Sequence, residues 1–242
     1  MADRPILFSG PIIRALLDGR KTQTRRVLKP GKDRDFGCEL APSEIAGEIR
    51  AGNFRNSPYA PGDRLWVRET WHCDHAEMPL GNFPAMRERM DYRATHDCRE
   101  WEAGCPCRDA DGRGRWRPSI HMPRWASRLT LIVIDVRVQR LQDISEADAE
   151  AEGATSRPKC HGFQGMYPGW SMDWSKVGER SDYATGGPGP LQERDISLGD
   201  ARMAFANYWG SLNGPGAWEA NPWVVALTFA VHRCNIDQMG AA

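Results

Sequence analysis

Eight residues near the N-terminus, Gly19-Arg20-Lys21-Thr22-Gln23-Thr24-Arg25-Arg26, gather four cations, two hydroxyls and an amide. Clustered cations contact phosphates, and hydroxyl and amide groups read base edges. Lys29 and Lys32 follow a few residues on. A Lys near a Thr is also a base and nucleophile pair. The Thr hydroxyl is a poor nucleophile until a base takes its proton. A Lys can be that base only where burial or a neighbouring cation depresses its pKa, and Arg20 and Arg25 are such neighbours. Lys21 and Thr24 meet on a helix or tight turn but point to opposite faces of a regular strand. The catalytic reading therefore requires a bend at Lys21-Thr22. The plain alternative is a solvated turn with charged edges.

Three other groups could carry chemistry. The stretch Ser145 to Glu152 holds Glu146, Asp148, Glu150 and Glu152. The first three read as an exposed acidic helix face. Glu152 falls at the helix C-terminal end, where the macrodipole disfavours a carboxylate, and a proton is more readily held there. His121-Met122-Pro123-Arg124-Trp125 offers Arg124 and Trp125 to clamp or stack on a base or phosphate, or Trp125 merely to plug one end of a barrel. Cys73, His75, His96, Cys98, Cys105 and Cys107 offer thiolate and imidazole ligands suited to a structural zinc. Their spacing is not a regular finger pattern, and free thiols are the simpler expectation.

These residues need elements to hold them. Ile6-Leu7-Phe8 reads as a strand. Ser9-Gly10-Pro11 reads as a helix start, with Ile12, Ile13, Leu16 and Leu17 at helical spacing and Asp18-Gly19 as the stop. Residues 30 to 58 are polar and read as a surface excursion. After the turn at Ala60 to Asp63, Arg64 to Trp71 reads as a strand with Leu65, Val67 and Glu69 on one face. Arg128 to Leu141 is the strongest strand signal. Ile132, Ile134, Val136 and Val138 line one face. Leu129, Leu131 and Val133 open the other, so one end should be buried on both sides. Ser145 with Asp148 resembles a capping box, and Gly153 is the stop of that short helix. Ala201 to Leu212 carries a helical stripe, and Trp223 to Val231 alternates as a closing strand. Two long irregular inserts, at about 72–118 and 154–198, interrupt the pattern. A single α+β domain follows, a small mixed β-barrel with short helices at its ends. Too few βα units and no Gly-rich phosphate fingerprint argue against a doubly wound sheet.

Composition narrows the partners. The chain has 242 residues, with Lys+Arg and Asp+Glu both at 32 and no net charge. A generic nucleic-acid coat, usually basic overall, is disfavoured. No apolar run reaches the roughly 18 residues of a membrane span, and the first residues lack an apolar signal region, so a cytoplasmic location is expected. The seven Cys would then be thiols or metal ligands rather than disulfides.

The motif Gly-Arg-Lys-Thr-x-Thr-Arg-Arg resembles the signature of the ASCH domain family, which has a PUA-like β-barrel fold. Three further stretches strengthen the resemblance, namely Tyr59 to Trp71, Asp135 to Glu152 and Asn221 to Phe229. Together they look like the phage- and prophage-encoded members, sometimes labelled morphogenetic proteins. The resemblance covers roughly residues 4–29, 59–72, 117–153 and 200–232 and leaves the inserts outside. It implies nucleic-acid binding in a cleft beside the barrel. One branch of small bacterial members hydrolyses N4-acetylcytidine to cytidine and acetate. By residue match its catalytic Lys and Thr fall on Lys21 and Thr24, and its Glu, late in the short helix, falls on Glu152. Another member is described as a metal-dependent ribonuclease. This chain departs from the small amidohydrolases in being more than twice as long, with inserts that could reshape the cleft.

The expectation is therefore amide hydrolysis of an N4-acylated cytidine-type nucleoside. Thr24 would attack the acyl carbon, Lys21 would accept its proton, and Glu152 would assist proton transfer to the leaving amine. Arg20, Thr22, Arg25, Arg26, Glu69, Arg124 and Trp125 would hold substrate, with Glu69 orienting Arg25 or Arg26. No cofactor beyond the weak zinc candidate is expected. The partner is a modified nucleoside or RNA, not a membrane. A non-catalytic RNA-binding module and a ribonuclease are the competing readings.

Overall fold

The structure, a computed structural model, describes residues 2–73, 90–95, 116–157, 169–176, 180–181, 189–190 and 196–239. Its centre is one mixed sheet of five strands: β1 (Asp3–Leu7), β2 (Gln23–Val27), β3 (Arg64–Arg68), β4 (Thr130–Arg140) and β5 (Trp223–His232). The strand order is β1-β3-β4-β5-β2, which leaves β1 and β2 at its two ends. β1 runs parallel to β3, from Asp3 opposite Arg64 to Leu7 opposite Arg68. β3 is antiparallel to β4, and β5 is antiparallel to β2 with Leu227 opposite Thr24. The helices are α1 (Gly10–Leu17), α2 (Pro42–Arg50), α3 (Glu146–Ala151) and α4 (Ala201–Asn213). The fold is thus α+β, and among the described residues no helix is long and apolar enough to cross a membrane.

The chain divides into two compact units. The first comprises Met1–Gly19, Pro61–Val133 and Phe229–Ala242; the second comprises Arg20–Ala60 and Ile134–Thr228. In the first unit, Ile12, Ile13 and Leu16 bury one face of α1, and Leu65 and Val67 bury one face of β3. Glu69 continues that buried face, as alternation requires. α1 ends where expected, with Gly19 at φ 73°, a left-handed conformation that a side chain would strain. Ser9 is the N-cap residue but accepts no side-chain capping bond. In the second unit the core draws on Ile45, Val136, Leu141, Ile144, Phe205 and Leu227.

Three expectations fail in instructive ways. The unbroken face Ile132–Ile134–Val136–Val138 does not exist, because Ile134 is 58% exposed. β4 buries Leu131 and Val133 at one end, then exposes Ile134 and Asp135 in succession, then buries Val136 and Val138. The buried face shifts by one residue where the strand passes from one unit to the other. The polar excursion at 30–58 contains helix α2, whose Ile45, Ala46 and Ile49 are buried. Glu44 caps that helix by accepting from the Ala41 N–H at 2.6 Å. The inserts are not wholly irregular either. Trp71–Cys73 pairs with Met90–Tyr92, Thr155–Arg157 with Gly169–Ser171, and Arg180–Ser181 with Gly189–Pro190. Strands of two or three residues are too short to show a period in the sequence.

Candidate active site

The site is built by the segment after Gly19 closing over the end of α3. Four C=O groups at a helix C-terminus lack partners within the helix. Three successive residues supply donors to carbonyls at and just past that end. The Thr22 N–H donates to the Ala151 carbonyl at 2.8 Å, Lys21 Nζ to the Glu152 carbonyl at 2.9 Å, and Arg20 Nη1 to the Gly153 carbonyl at 3.2 Å. Cations there also suit the negative end of the helix dipole. Residues 20 to 22 are outside regular structure and β2 starts at Gln23, so Lys21 is not bound by the strand alternation that would set it opposite Thr24.

Lys21 is 1% exposed and its Nζ donates to Glu152 Oε2 at 2.6 Å. Glu152 is the C-cap residue of α3 and is itself buried. Its other oxygen, Oε1, accepts from Arg25 Nη1 at 3.0 Å. Arg25 Nη2 continues to Asp148 Oδ2 at 2.8 Å, and Asp148 Oδ1 accepts from Arg137 Nη2 at 3.0 Å. Gln23 Oε1 accepts from Arg137 at 3.2 Å. The Arg25 side chain is fully buried, with its guanidinium 6.0 Å from the centre of the Phe205 ring. Lysine, glutamate and the arginine–aspartate pair thus form one chain of charge.

Burial pushes the Lys21 ammonium below its ordinary 10.5. Glu152 opposes that shift through charge and hydrogen bond, while Arg26 and Arg25 add to it. Arg20, expected as a tuning neighbour, is exposed and aimed at the Gly153 carbonyl instead. Burial also raises Asp148, but Arg137 and Arg25 together carry it below its ordinary 3.8. Thr24 is buried on β2. Strand alternation sets Thr24 and Arg26 on the face opposite Gln23 and Arg25. Arg26 is half-buried on that face and feels the charges of Glu152, Tyr59 and Tyr208. Thr22 presents an exposed residue at the mouth of the segment.

Asp148 and Arg137 were not legible as members of the site. The signal for Asp148 was its spacing of four from Glu152, which puts both carboxylates on one face of α3. Of the acidic face expected to be solvated, Glu146 and Glu150 are exposed and Asp148 is half-buried. Glu146 accepts from the Ala201 and Arg202 N–H groups and caps α4.

Glu69, Arg124 and Trp125 belong to the first unit, and each has partners of its own there. Glu69 does not orient Arg25, which is taken by Glu152 and Asp148. Its carboxylate takes both Nε and Nη2 of Arg128, at 2.8 and 2.9 Å. The Arg128 guanidinium lies 3.9 Å from the centre of the Tyr92 ring. Burial raises Glu69 above its ordinary 4.5 although Arg128 opposes it. Arg124 is held by Asp3 at 2.6 Å and Asp237 at 2.8 Å. Trp125 is half-buried and packs edge-on against Trp71, with ring centres 6.3 Å apart. Of the zinc candidates, His75, His96, Cys98, Cys105 and Cys107 lie outside the described residues, and Cys73 sits at a strand end. Among the described residues no group of three or more His, Cys, Asp or Glu could hold a metal ion.

Fold and site together define an α+β protein with a mixed five-stranded sheet and a buried lysine–glutamate pair at a helix C-terminus. Compared with family models, curated proteins and solved structures, the chain matches none.

Proposed function

We propose that this chain is an ASCH-type hydrolase that cleaves the exocyclic amide of an N4-acylated cytidine-type nucleoside, its five-stranded sheet forming the PUA-like barrel. The observation that carries the reading is the buried Lys21, whose Nζ donates to Glu152 Oε2 at 2.6 Å and whose pKa is lowered by burial. A lysine whose ammonium is disfavoured by burial can accept a proton as a general base.

The steps follow from the bonds that must change. Lys21 takes the Thr24 hydroxyl proton as Oγ1 bonds to the acyl carbon. The carbonyl becomes an oxyanion, and Arg26, on the same strand face as Thr24, is the cation that would meet it. The oxyanion collapses, the C–N4 bond breaks, and N4 takes a proton supplied by Glu152. Cytidine leaves and Thr24 holds the acyl group as an ester. Lys21 then passes its proton to Glu152, water attacks the ester with its proton going to Lys21, and the intermediate collapses as Lys21 hands that proton to Thr24 Oγ1; the acid product leaves and ionises to acetate. Arg25 is committed to Glu152 and Asp148, so substrate holding falls to Arg26, Arg20 and Thr22.

Incubation with N4-acetylcytidine is expected to release cytidine and acetate. Lys21→Ala and Thr24→Ala should each abolish release, while equal turnover by Lys21→Ala overturns the mechanism. Should the wild-type protein retain RNA at low salt yet turn nothing over, the chain is a binding module. Cleavage of mixed RNA, with or without divalent metal, identifies a ribonuclease.

A further inference from the structure

Arg25 stands between two carboxylates one helical turn apart on α3. One of its nitrogens holds Glu152 Oε1 and the other holds Asp148 Oδ2, at 3.0 and 2.8 Å. Two like charges at that spacing repel on an isolated helix. A buried guanidinium is costly unless it is paired, and here both carboxylates pair it. The arrangement leaves Glu152 Oε2 alone to address Lys21, at 2.6 Å.

We propose that Arg25 and Asp148 form a positioning pair: Arg25 fixes which Glu152 oxygen meets Lys21, and Asp148 sets how much of the Arg25 charge Lys21 feels. This deepens the reading of Lys21 as the base and rests on it for its consequence, but the linkage itself is a property of the folded chain. The charged and titratable groups around Lys21 are Arg25 and Arg26 from β2 and Glu152 and Asp148 from α3. Arg137 on β4 holds Asp148 in turn, Tyr59 and Tyr208 act on Arg26, and Arg20 caps the same helix end. Within that set Glu152 stabilises the ammonium, and Arg25 and Arg26 oppose it. Asp148 touches Arg25 and not Lys21, so it acts through Arg25.

The two halves of the pair then have opposite effects. Asp148→Asn keeps the shape but leaves the Arg25 charge compensated by Glu152 alone, so Lys21 should lose its proton at lower pH. Arg25→Met removes the opposing charge, so Lys21 should hold its proton to higher pH. Shifts of about half a unit to one unit are expected for a charge change at this range. General loosening of the site would move both variants the same way, towards the value of a solvated lysine.

The test is a pH titration of the full chain carrying lysine labelled at Cε, read by carbon NMR. The Lys21 signal is assigned by its loss in Lys21→Met. A downward midpoint in Asp148→Asn and an upward one in Arg25→Met support the pair. Midpoints that both stay put, or both move in one direction, overturn it. If Arg25→Met does not fold, Asp148→Asn alone decides, since an unmoved or raised midpoint overturns the proposal. The readout needs no substrate. A protein inert towards N4-acetylcytidine that still shows the opposed shifts refutes the proposed function and leaves the pair standing. If the protein is active, the acid limb of its pH–rate profile should follow the same two shifts, and Arg25→Lys should restore it towards the wild-type position.

Discussion

At the scale of single residues, Lys21 and Glu152 are a buried ion pair whose value depends on both being present. Two charges out of water cost several kcal/mol each, and attraction repays this only with good geometry and filled hydrogen bonds. Here Lys21 donates to both the carbonyl and the carboxylate of Glu152, and Glu152 has a second cation in Arg25. Removing one partner strands the other. Lys21→Met is expected to cost about 3 kcal/mol, and the double variant Lys21→Met/Glu152→Gln less than the sum of the single losses by at least about 1 kcal/mol. Urea unfolding midpoints measure this cycle, and simple additivity would contradict it. The pH dependence has a definite sign. Lys21 is lowered in the fold from 10.5, so between its folded value and 10.5 the unfolded chain binds more protons. Stability from this group therefore rises with pH across that window. The advantage of wild type over Lys21→Met should widen as pH rises towards 10.5, and a narrowing gap would mean that Glu152, not burial, dominates Lys21.

At the scale of elements, the short helix α3 does most to place the site, and most of it was legible. Its N-cap follows from a local rule: Ser145 accepts from the Asp148 N–H at 3.1 Å. Glu152 falls at the C-cap because Gly153, at φ 113°, ends the helix. Such signals act over four residues and can be read from the chain alone. What could not be read depends on partners distant in sequence. Asp148 looked solvated because nothing local foretells Arg25 arriving from β2. The exposed Ile134 could not be foreseen because the face a strand buries is decided by what packs on it, and β4 passes from one unit to the other at Val133. Helix α2 was hidden by its polar sequence, where Ile45 and Ile49 alone mark a buried stripe. A helix of six residues has little stability of its own. Ser145→Ala should therefore cost about 1 kcal/mol by removing the cap. It should also weaken turnover of N4-acetylcytidine, since Glu152 rides on the same helix. Thermal unfolding and steady-state rates check both, and a loss of stability with full activity would show that β2 alone holds Glu152 in place.

At the scale of the whole molecule, charge decides between a nucleoside and a polymer as the partner. The chain carries no net charge, so no general attraction draws a polyanion. Locally, the basic segment is less basic than its sequence suggests. Lys21 and Arg25, half of its four cations, are turned inward onto Glu152 and Asp148. At most Arg20, Arg26 and the exposed Lys29 and Lys32 remain on that stretch to meet phosphates. Each phosphate neutralised on a single strand contributes a slope of about −0.7 in log affinity against log salt. Four cations therefore allow a slope no steeper than about −3 for a short single-stranded RNA, by the same relation. Fluorescence anisotropy between low and moderate salt measures it directly. A shallow slope, with N4-acetylcytidine competing for the RNA, fits a site that recognises one nucleoside and touches little of the chain around it. A slope much steeper than about −3 would require cations beyond this segment. The working surface would then be a polynucleotide track, and the Lys21–Glu152 pair would be a structural clasp behind it.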